Sequence, residues 1–335
     1  MNIRESLEEI ERKSLSKYAT FSSESLGRDT DEEECDIRTC FQRDRDRIIH
    51  CKSFRRMKHK TQVFLAPAGD HYRTRLTHTL EVSQIARTIA KALRMNEDLT
   101  EAIALGHDLG HTPFGHAGED ALNKVCECGF AHYKQSLRVV EIIEKKGKGL
   151  NLTKEVRDGI VNHRTSGNPS TLEGKIVRLS DKIAYINHDI DDAIRGRILK
   201  EEDLPEKYTS VLGNSKNKRL NTMIHSIIEN SIDRPDIIMT DDISEAMSGL
   251  RNFMFENVYS NPVAKGQEEK AKEMLKVLYR YYFSHVNELP EEYRMLIEKG
   301  QVVDRVVCDY IAGMSDQYSV EKYKELFIPT FWNLQ

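Results

Sequence analysis

The stretch "LEGKIVRLSDKIAYINHDIDDAIR" (residues 172–195) carries the clearest helical pattern in the chain. Its large aliphatic residues recur at steps of three or four: Ile176, Leu179, Ile183, Ile186, Ile190 and Ile194. Because an α-helix has about 3.6 residues per turn, these steps place the side chains on one face. The stretch therefore predicts one long amphipathic helix with a buried aliphatic stripe.

Polar side chains repeat on the other side of the same helix. Asp181, Tyr185 and Asp189 follow one another at intervals of four, and Lys182 borders them. Residues four apart lie above one another on a helix, so these side chains share a face. Spacing alone leaves two interpretations open: a solvent-facing polar stripe, or a site for a metal ion, a phosphate and a sugar.

Helical spacing extends over most of the remaining chain, and strand signals are scarce. Further helices are predicted at 76–95, 99–107, 216–232, 241–258, 265–285 and 303–313. In the first of these, one buried face is expected to hold Leu76, Leu80, Ile85, Ile89 and Leu93. Asp98 and Glu101 resemble a capping box at the start of the second. The pattern predicts an all-α fold.

We divide the chain into an N-terminal lead-in segment (1–46), a catalytic core (47–200) and a C-terminal helical region packed on that core (201–335). The charged stretch 20–46 is expected to be solvated. Its last part, RDRDR (43–47), is interpreted as an ion-paired segment; the alternative is contact with phosphate or nucleic acid.

Composition limits the class of protein. The chain has 335 residues, a net charge of −4, 39% hydrophobic and 31% charged residues, which is typical of a soluble globular protein. It has no apolar run long enough to span a membrane, and its N-terminus lacks the apolar core of a signal peptide. A cytoplasmic location without membrane partners is the expectation, and the charge gives no argument for nucleic-acid binding.

The six cysteines do not suggest a disulfide framework in a chain of this length. Cys126 and Cys128 flank a single glutamate, and no second cysteine pair accompanies them. A zinc site and free thiols are both open for this pair, and free thiols are the favoured interpretation.

Candidate metal ligands gather around "HDLGHTPFGH" (107–116). His107 and Asp108 are adjacent at the predicted end of a helix, where both side chains can reach one ion. A hydrolytic divalent site needs three or four His, Asp or Glu ligands from rigid elements. His78 and Asp181 are the further candidates, although each alone is more often a structural residue.

This H…HD…D set resembles the HD-domain metal phosphohydrolases. The flanking sequence resembles, more narrowly, the deoxynucleoside triphosphate triphosphohydrolase family, often called dGTPase-like. The similar segments are 41–64, 73–82, 107–123, 132–141, 171–194 and 323–329. They run in order over nearly the whole chain, and the resemblance is weakest over 200–300.

The resemblance implies a multi-helix HD-domain phosphohydrolase fold and a reaction that removes intact tripolyphosphate from a dNTP, leaving the deoxynucleoside. It implies that His78, His107, Asp108 and Asp181 bind a divalent cation. Mn²⁺ or Mg²⁺ is the first expectation for this cation, with Fe, Ni and Zn as alternatives.

The resemblance also implies roles around the ion. The catalytic set would be His116 with Glu119, together with His111 and His132. The substrate-binding set would be Gln62, Arg75, Lys182, Tyr185 and Asp189. A triphosphate carries about four negative charges, so cations such as Arg75 and Lys182 suit it.

Partners and alternatives remain open at this level. The resemblance implies a homo-oligomer of four or six chains and a nucleotide effector, whereas a nucleic-acid partner has no support. Gln317 departs from the family pattern, in which relatives tend to carry arginine. The alternative functions are another HD-domain phosphohydrolase or phosphodiesterase that acts on nucleotides, and a regulatory protein with a vestigial site.

Overall fold

A computed structural model describes residues 2–62, 73–259 and 262–329, without the side chains of 262–266. Residues 63 and 64 of the predicted family segment therefore lie outside the described residues. The described residues form no β-strand, and an isolated bridge between Thr61 and Thr74 is the extent of β pairing among them. The all-α prediction is confirmed.

The helices in chain order are α1 (Ile3–Ser14), α2 (Cys40–Ile49), α3 (Lys52–Arg56), α4 (Arg75–Ala92), α5 (Glu97–Gly106), α6 (Gly115–Val125), α7 (His132–Arg138), α8 (Glu144–Gly147), α9 (Lys154–Asn162), α10 (Leu172–Arg195), α11 (Glu206–Leu212), α12 (Lys216–Ser231), α13 (Asp241–Met254), α14 (Pro262–Ser284), α15 (Glu291–Glu298), α16 (Val303–Gly313) and α17 (Asp316–Phe327). The helices predicted within 172–195, 216–232, 241–258, 265–285 and 303–313 are confirmed.

Helix α10 has the predicted bounds and the predicted stripe. The Thr171 side chain accepts a hydrogen bond from the Gly174 N–H and so caps the start of the helix. Four isoleucines of the stripe are at most 2% exposed: Ile176, Ile183, Ile186 and Ile190. Each contributes about 1.5–3 kcal/mol relative to an exposed side chain.

Helix α4 buries Ile85, Ile89 and Leu93 of the predicted stripe but not Leu80. Leu80 is 50% exposed, whereas Val82, Ile85 and Ile89 are buried. His78 lies on this buried face and is 1% exposed. The predicted stripe was wrong at Leu80 because it gave weight only to aliphatic residues, and the inward face of α4 also holds polar side chains.

The start of α5 also differs from the prediction. Asn96, and not Asp98, caps the helix, since its side chain accepts from the Leu99 N–H. Asp98 and Glu101 instead form ion pairs with Arg45. The capping-box pattern was therefore a surface ion-pair pattern.

The charged N-terminal segment packs on the core. Phe41 and Asp44 on α2 are fully buried, so the expected solvation of this part was wrong. Arg28 forms an ion pair with Asp44, and Arg47 forms one with Glu32, which confirms the ion-paired interpretation at Arg47. The proposed division at residue 46 lies within α2, and the three-part domain division stays a prediction.

Two apolar clusters organise the described helices. The first is built mainly from α2, α4, α5, α9, α10, α12 and α13. The second joins α6 to α14, α15, α16 and α17. Helices of both clusters contribute to the candidate active site. Its metal-ligand candidates come from helices of the first cluster, and His116 and Glu119 come from α6 in the second. Among the described residues, no helix is long and apolar enough to cross a membrane.

Candidate active site

Three separate elements bring the predicted metal ligands together. His78 comes from α4, His107 and Asp108 follow α5, and Asp181 lies on α10. The His78 Nε2 atom is 3.0 Å from Asp181 Oδ1. The His107 Nε2 atom is 3.7 Å from the same oxygen and 3.5 Å from Asp108 Oδ1. Donors about 2.1 Å from one ion lie about 3.0–3.4 Å apart at right-angle or tetrahedral spacing, so this set fits a divalent cation.

The backbone fixes the tautomer of His107. Its Nδ1 atom lies 2.7 Å from the Ala104 carbonyl oxygen and donates to it. The Nε2 atom is therefore the position that a proton or a cation can occupy, and it is buried without a hydrogen-bond partner in the described part of the chain. An orphaned imidazole nitrogen beside two carboxylates is what a cation would satisfy.

The charges around His107 favour a cation. Burial opposes the positive form of this imidazole, but Asp108 and Asp181 outweigh it and raise its pKa to about 9. Burial likewise opposes ionisation of Asp181, yet contacts with His107 and His78 hold its pKa below the usual range. Two ionised carboxylates in a buried site need a positive charge between them.

A second group of side chains lies beside Asp108. His111 Nε2 is 3.2 Å from Asp108 Oδ1, and the His111 and His132 rings stack with centroids 4.1 Å apart. Glu119 accepts from the His132 backbone N–H at 3.0 Å and from its Nδ1 at 2.9 Å. The predicted partner of Glu119, His116, is 3.6 Å away, and its side chain is 85% exposed. Glu119 thus holds His132 more tightly than it holds His116.

The electrostatics of Glu119 follow from the same contacts. Burial opposes its charge, but hydrogen bonds with His116 and His132 hold its pKa below the usual range. The ionised carboxylate accepts from His132 Nδ1, which leaves the Nε2 atom of His132 as the ring nitrogen not engaged by Glu119. His111 is kept neutral, because burial and the neighbouring Arg75 guanidinium lower its pKa.

Gly110 lets α7 approach this turn closely. A Cβ atom at Gly110 would lie 2.1 Å from the Ser136 backbone nitrogen and 2.4 Å from the Gln135 carbonyl carbon. The Ser136 hydroxyl accepts from the Gly110 N–H and donates to the His107 carbonyl. The close contact therefore fixes His107 relative to α7, which carries His132.

We expect Gly110→Ala to destabilise the fold by about 3 kcal/mol or more, at the upper end of overpacking costs, because the clashing atoms are backbone atoms of α7 that cannot move aside easily. Urea unfolding measures this change. The control is Gly300→Ala, where the added Cβ meets open space and only a φ of +90° opposes it, at a cost of about 1–2 kcal/mol. Equal losses in the two variants would contradict the clash at Gly110.

Arg75 and Gln62 meet near the ion site. One nitrogen of the Arg75 guanidinium donates to Asp108 Oδ2 at 2.8 Å, and another donates to the Gln62 carbonyl at 3.3 Å. The Gln62 Oε1 atom is buried without a partner among the described residues. Arg75 is therefore tied to a metal-ligand candidate, and the amide of Gln62 is left to contact a ligand.

The polar stripe of α10 is not a solvent-facing surface. Tyr185 is half-buried, and its hydroxyl accepts from the Arg251 Nε at 2.7 Å. Asp189 is 1% exposed and accepts a hydrogen bond from the Tyr259 hydroxyl. Lys182 is half-buried, and burial together with Arg178 and Arg251 lowers its pKa. The stripe thus packs its polar side chains against α13 and the helical turn Phe255–Tyr259 that follows it.

Asp189 carries an unpaired buried oxygen. Its Oδ1 atom has no hydrogen-bond partner in the described part of the chain. Burial raises the pKa of this carboxyl to about 8, with Asp192 adding to the effect and Tyr259 opposing it. Asp189 therefore offers one unpaired carboxyl oxygen with which a ligand hydroxyl can form a hydrogen bond.

The raised pKa of Asp189 predicts a pH dependence of stability. The native carboxyl keeps its proton up to about pH 8, whereas the unfolded one loses it near pH 4, so this group's contribution falls between about pH 4 and 8. The slope is at most about 1.4 kcal/mol per pH unit. Chemical unfolding of the wild type and of Asp189→Asn across this range measures the difference. Identical slopes would contradict the assignment.

Several site residues were not predicted. His163 ends α9 and places its ring 5.0 Å from His107 and 5.4 Å from His132, while burial and those two histidines lower its pKa to about 4. The buried Lys60 ammonium donates to the His111 and Ala312 carbonyls. Arg251 lies where the family resemblance is weakest. The one sequence signal that could have identified His163 is that it is an isolated histidine directly after residues 154–162, which form α9.

Comparisons with known proteins agree with this site. The HD domain model matches residues 75–186, which include all four metal-ligand candidates, and the phosphohydrolase-associated domain model matches 237–325. A deoxyguanosinetriphosphate triphosphohydrolase-like protein of Caldanaerobacter subterraneus subsp. tengcongensis is 61% identical over 99% of this chain and 98% of its own. The chain belongs to the deoxyguanosinetriphosphate triphosphohydrolase-like family.

Further relatives in this family are more distant. The protein of the same name from Clostridium perfringens strain SM101 is 52% identical over 99% of both chains, and that of Geobacter metallireducens is 39% identical over 95% of this chain and 96% of its own. A crystal structure of a hypothetical protein from Aquifex aeolicus aligns with 85% of this chain and 68% of that chain, at a TM-score of 0.48 and 20% identity. Family membership makes the chain an HD-domain hydrolase whose buried His/Asp group can hold a metal ion.

Proposed function

We propose that this protein hydrolyses deoxynucleoside triphosphates to the deoxynucleoside and tripolyphosphate, with a divalent cation at His78, His107, Asp108 and Asp181. One observation carries the proposal. A single helix, α10, presents a metal-ligand candidate at Asp181 and an unpaired buried acceptor at Asp189, which are about 12 Å apart along the helix axis. A nucleotide has an anionic end and a sugar end with a free hydroxyl, and this helix offers a partner for each.

The anionic end requires positive charge. The cation, when bound, would act as a Lewis acid that stabilises charge on the α-phosphoryl oxygens. Lys182 adds a cation on the next position of α10, and it has no hydrogen bond or ion pair to a described residue that would compete with phosphate. Arg75 is tied to Asp108, so we assign it to orienting that carboxylate as well as to balancing phosphate charge.

The exposed histidine suits proton transfer. His116 stands at the start of α6 with its ring 85% exposed, and Glu119 one turn later can orient it. Glu119 also holds His132, whose ring stacks on His111. We assign His116 to moving a proton at the attacking water or at the leaving 5′ oxygen, and His111 and His132 to contacting the phosphate chain.

The Asp189 end of the site suits deoxyribose. Asp189 Oδ1 can accept from a 3′-hydroxyl, and the buried Gln62 Oε1 is a second unpaired acceptor at the site. The Arg251 Nε donates a hydrogen bond to the Tyr185 hydroxyl and so holds the Tyr185 ring in place. A ring fixed beneath the sugar leaves little room for a 2′-hydroxyl, so the site favours deoxyribose over ribose.

The test is a panel of the four dNTPs, each incubated with the protein and Mn²⁺ or Mg²⁺, with release of deoxynucleoside as the readout. The matched controls are the corresponding NTP, which adds the 2′-hydroxyl, and the dNMP, which lacks the tripolyphosphate. We expect release from at least one dNTP and from neither control. Release from dNMP at the same rate would contradict the proposal in favour of a monophosphatase.

Assembly and regulation stay predictions. A homo-oligomer of four or six chains is expected, and measuring the dNTPs singly and in pairs while following mass by light scattering tests both assembly and a nucleotide effector. The Gln317 side chain donates to Glu321 on the exposed face of α17, where an arginine would be free to face another chain or a ligand. A cytoplasmic location also stays a prediction.

A further inference from the structure

Three cysteines and an aspartate converge at the end of α6 that lies away from the candidate active site. Cys126 caps α6, and its N–H donates to the Leu122 carbonyl. Cys128 lies in the turn that follows. Asp304 and Cys308 come from α16, where a spacing of four places them on one face. The sequence shows Cys126 and Cys128 as a pair but does not connect them to Asp304 and Cys308, because those residues lie about 180 positions further along the chain.

Three of these side chains, Cys126, Cys128 and Asp304, lie within contact distance of one another, and Cys308 adjoins Cys126. The Cys126 Sγ atom is 2.9 Å from Cys128 Sγ and 3.2 Å from Asp304 Oδ2. One atom from each of Cys126, Cys128 and Asp304 can lie within 4.8 Å of the others, which is a spacing that one ion can bridge. Cys308 is close enough to Cys126 that its thiol raises the Cys126 pKa. A sulfur-rich donor set with one carboxylate is thus assembled between two helices.

Other residues hold Asp304 in this orientation. The backbone N–H groups of Glu127 and Cys128 both donate to its carboxylate at 3.2 Å, and the Tyr279 hydroxyl donates to Oδ1. Such outer contacts orient a ligating carboxylate and are a regular part of metal sites. The oxygen nearest the thiols, Oδ2, is therefore presented to them by the backbone turn.

The group has more acidic than basic members. The Arg305 guanidinium is a neighbouring cation, with contacts to the Gly129 carbonyl at 3.3 Å and Cys128 Sγ at 3.9 Å. Once their thiol protons are displaced, three thiolates and a carboxylate would carry four negative charges, and Arg305 together with a divalent ion would offset three of them.

We propose that Cys126, Cys128 and Asp304 bind one Zn²⁺ ion at a site separate from the His/Asp centre, with Cys308 beside Cys126 as the candidate fourth ligand. Thiolates select zinc over the hard cations that suit phosphate chemistry. Binding replaces the thiol protons, which leave to solvent, and involves no oxidation. Cys126 is ten residues beyond His116, or about 15 Å along α6. The ion would fasten α6, which carries His116 and Glu119, to α16.

Cobalt(II) titration of the metal-stripped full-length protein tests this site. A thiolate-ligated Co²⁺ ion gives a near-ultraviolet charge-transfer band and intense visible bands, whereas a His/Asp site gives no thiolate band. We expect one equivalent of the thiolate band in the wild type and in His78→Ala, and its loss in Cys128→Ser. Cys128 is exposed, so this serine replacement removes a ligand with little loss of packing. Cys51→Ser, a buried thiol elsewhere, is the matched control and should keep the band.

A second measurement, of zinc content, keeps the test decisive if a variant folds poorly. Native mass spectrometry of the protein purified with zinc in the medium should show one chelator-resistant zinc per wild-type chain and none in Cys128→Ser. Absence of the thiolate band in a folded wild type, with the exposed Cys128 open to a thiol reagent, would overturn the proposal. A wild-type mass lower by two hydrogens would also overturn it, because the cluster would then hold a disulfide. Neither readout depends on hydrolysis.

Discussion

Asp108→Asn is expected to abolish turnover and to release the catalytic cation. This carboxylate faces His107 at 3.5 Å and His111 at 3.2 Å, and it also holds Arg75 at 2.8 Å. The amide removes a ligand charge and leaves two cationic or hydrogen-bonding partners unsatisfied in a buried site. Replacing a residue that only hydrogen-bonds to a metal ligand lowers metal affinity about 10–100-fold. Replacing the ligand itself should therefore lower metal affinity by more than about 100-fold.

Metal content by inductively coupled plasma mass spectrometry and dNTP turnover measure the two effects together. Asp98→Asn is the control, because Asp98 sits on α5 in a surface ion pair with Arg45 and should leave both values unchanged. Full activity of Asp108→Asn with its metal retained would contradict the ligand assignment. A far-ultraviolet circular dichroism spectrum separates loss of metal from loss of fold.

His116→Ala is expected to lower kcat by about 10²–10⁴-fold, the usual contribution of a positioned proton-transfer group. Metal content should stay at the wild-type level, since His116 is exposed and stands apart from the four ligand candidates. Asp108→Asn is expected to lose both turnover and bound metal, whereas His116→Ala is expected to lose turnover alone. Loss of metal in His116→Ala would contradict the division of roles.

The chain offers a closely matched control for that variant. His225 on α12 is an exposed histidine whose Nδ1 atom is 3.6 Å from Glu229, the same distance that separates His116 from Glu119. Its side chain is 71% exposed, and it lies outside the site. His225→Ala should therefore leave kcat and KM unchanged, and an equal loss there would show that the effect is not specific to His116.

The parts of the fold that could be predicted are those with a strong aliphatic period. Helix α10 was predicted to the residue because isoleucines repeat along one face and Thr171 and Gly196 mark its ends. The buried face of α4 could not be read the same way, since His78 and Thr79 turn inward. Burial of polar groups depends on partners from distant parts of the chain, which periodicity does not contain.

Some residues of the candidate site could also be predicted from the sequence, and others could not. Short motifs after α5 and on α10 encode three of the predicted metal ligands. His78, His107 and Asp108 offer ligand atoms within 4.8 Å of one another, and Asp181 lies 3.0 Å from His78 and 3.7 Å from His107. Arg251 and Tyr259 were missed because nothing in their local sequence distinguishes them from surface residues; only the packing of α13 against α10 brings them to Tyr185 and Asp189. The same is true of Asp304 and Cys308, whose relation to Cys126 is visible only in three dimensions.

The phosphorus product tests the central claim most directly. Phosphorus-31 nuclear magnetic resonance of a dNTP reaction distinguishes tripolyphosphate from pyrophosphate and orthophosphate in a single spectrum. The arrangement of the cation site, Lys182 and Asp189 predicts that water attacks the α-phosphorus and that the bond to the 5′ oxygen breaks, with tripolyphosphate and deoxynucleoside formed in equal amounts from the first time point. Pyrophosphate with dNMP, or orthophosphate with dNDP, as the initial products would contradict the account.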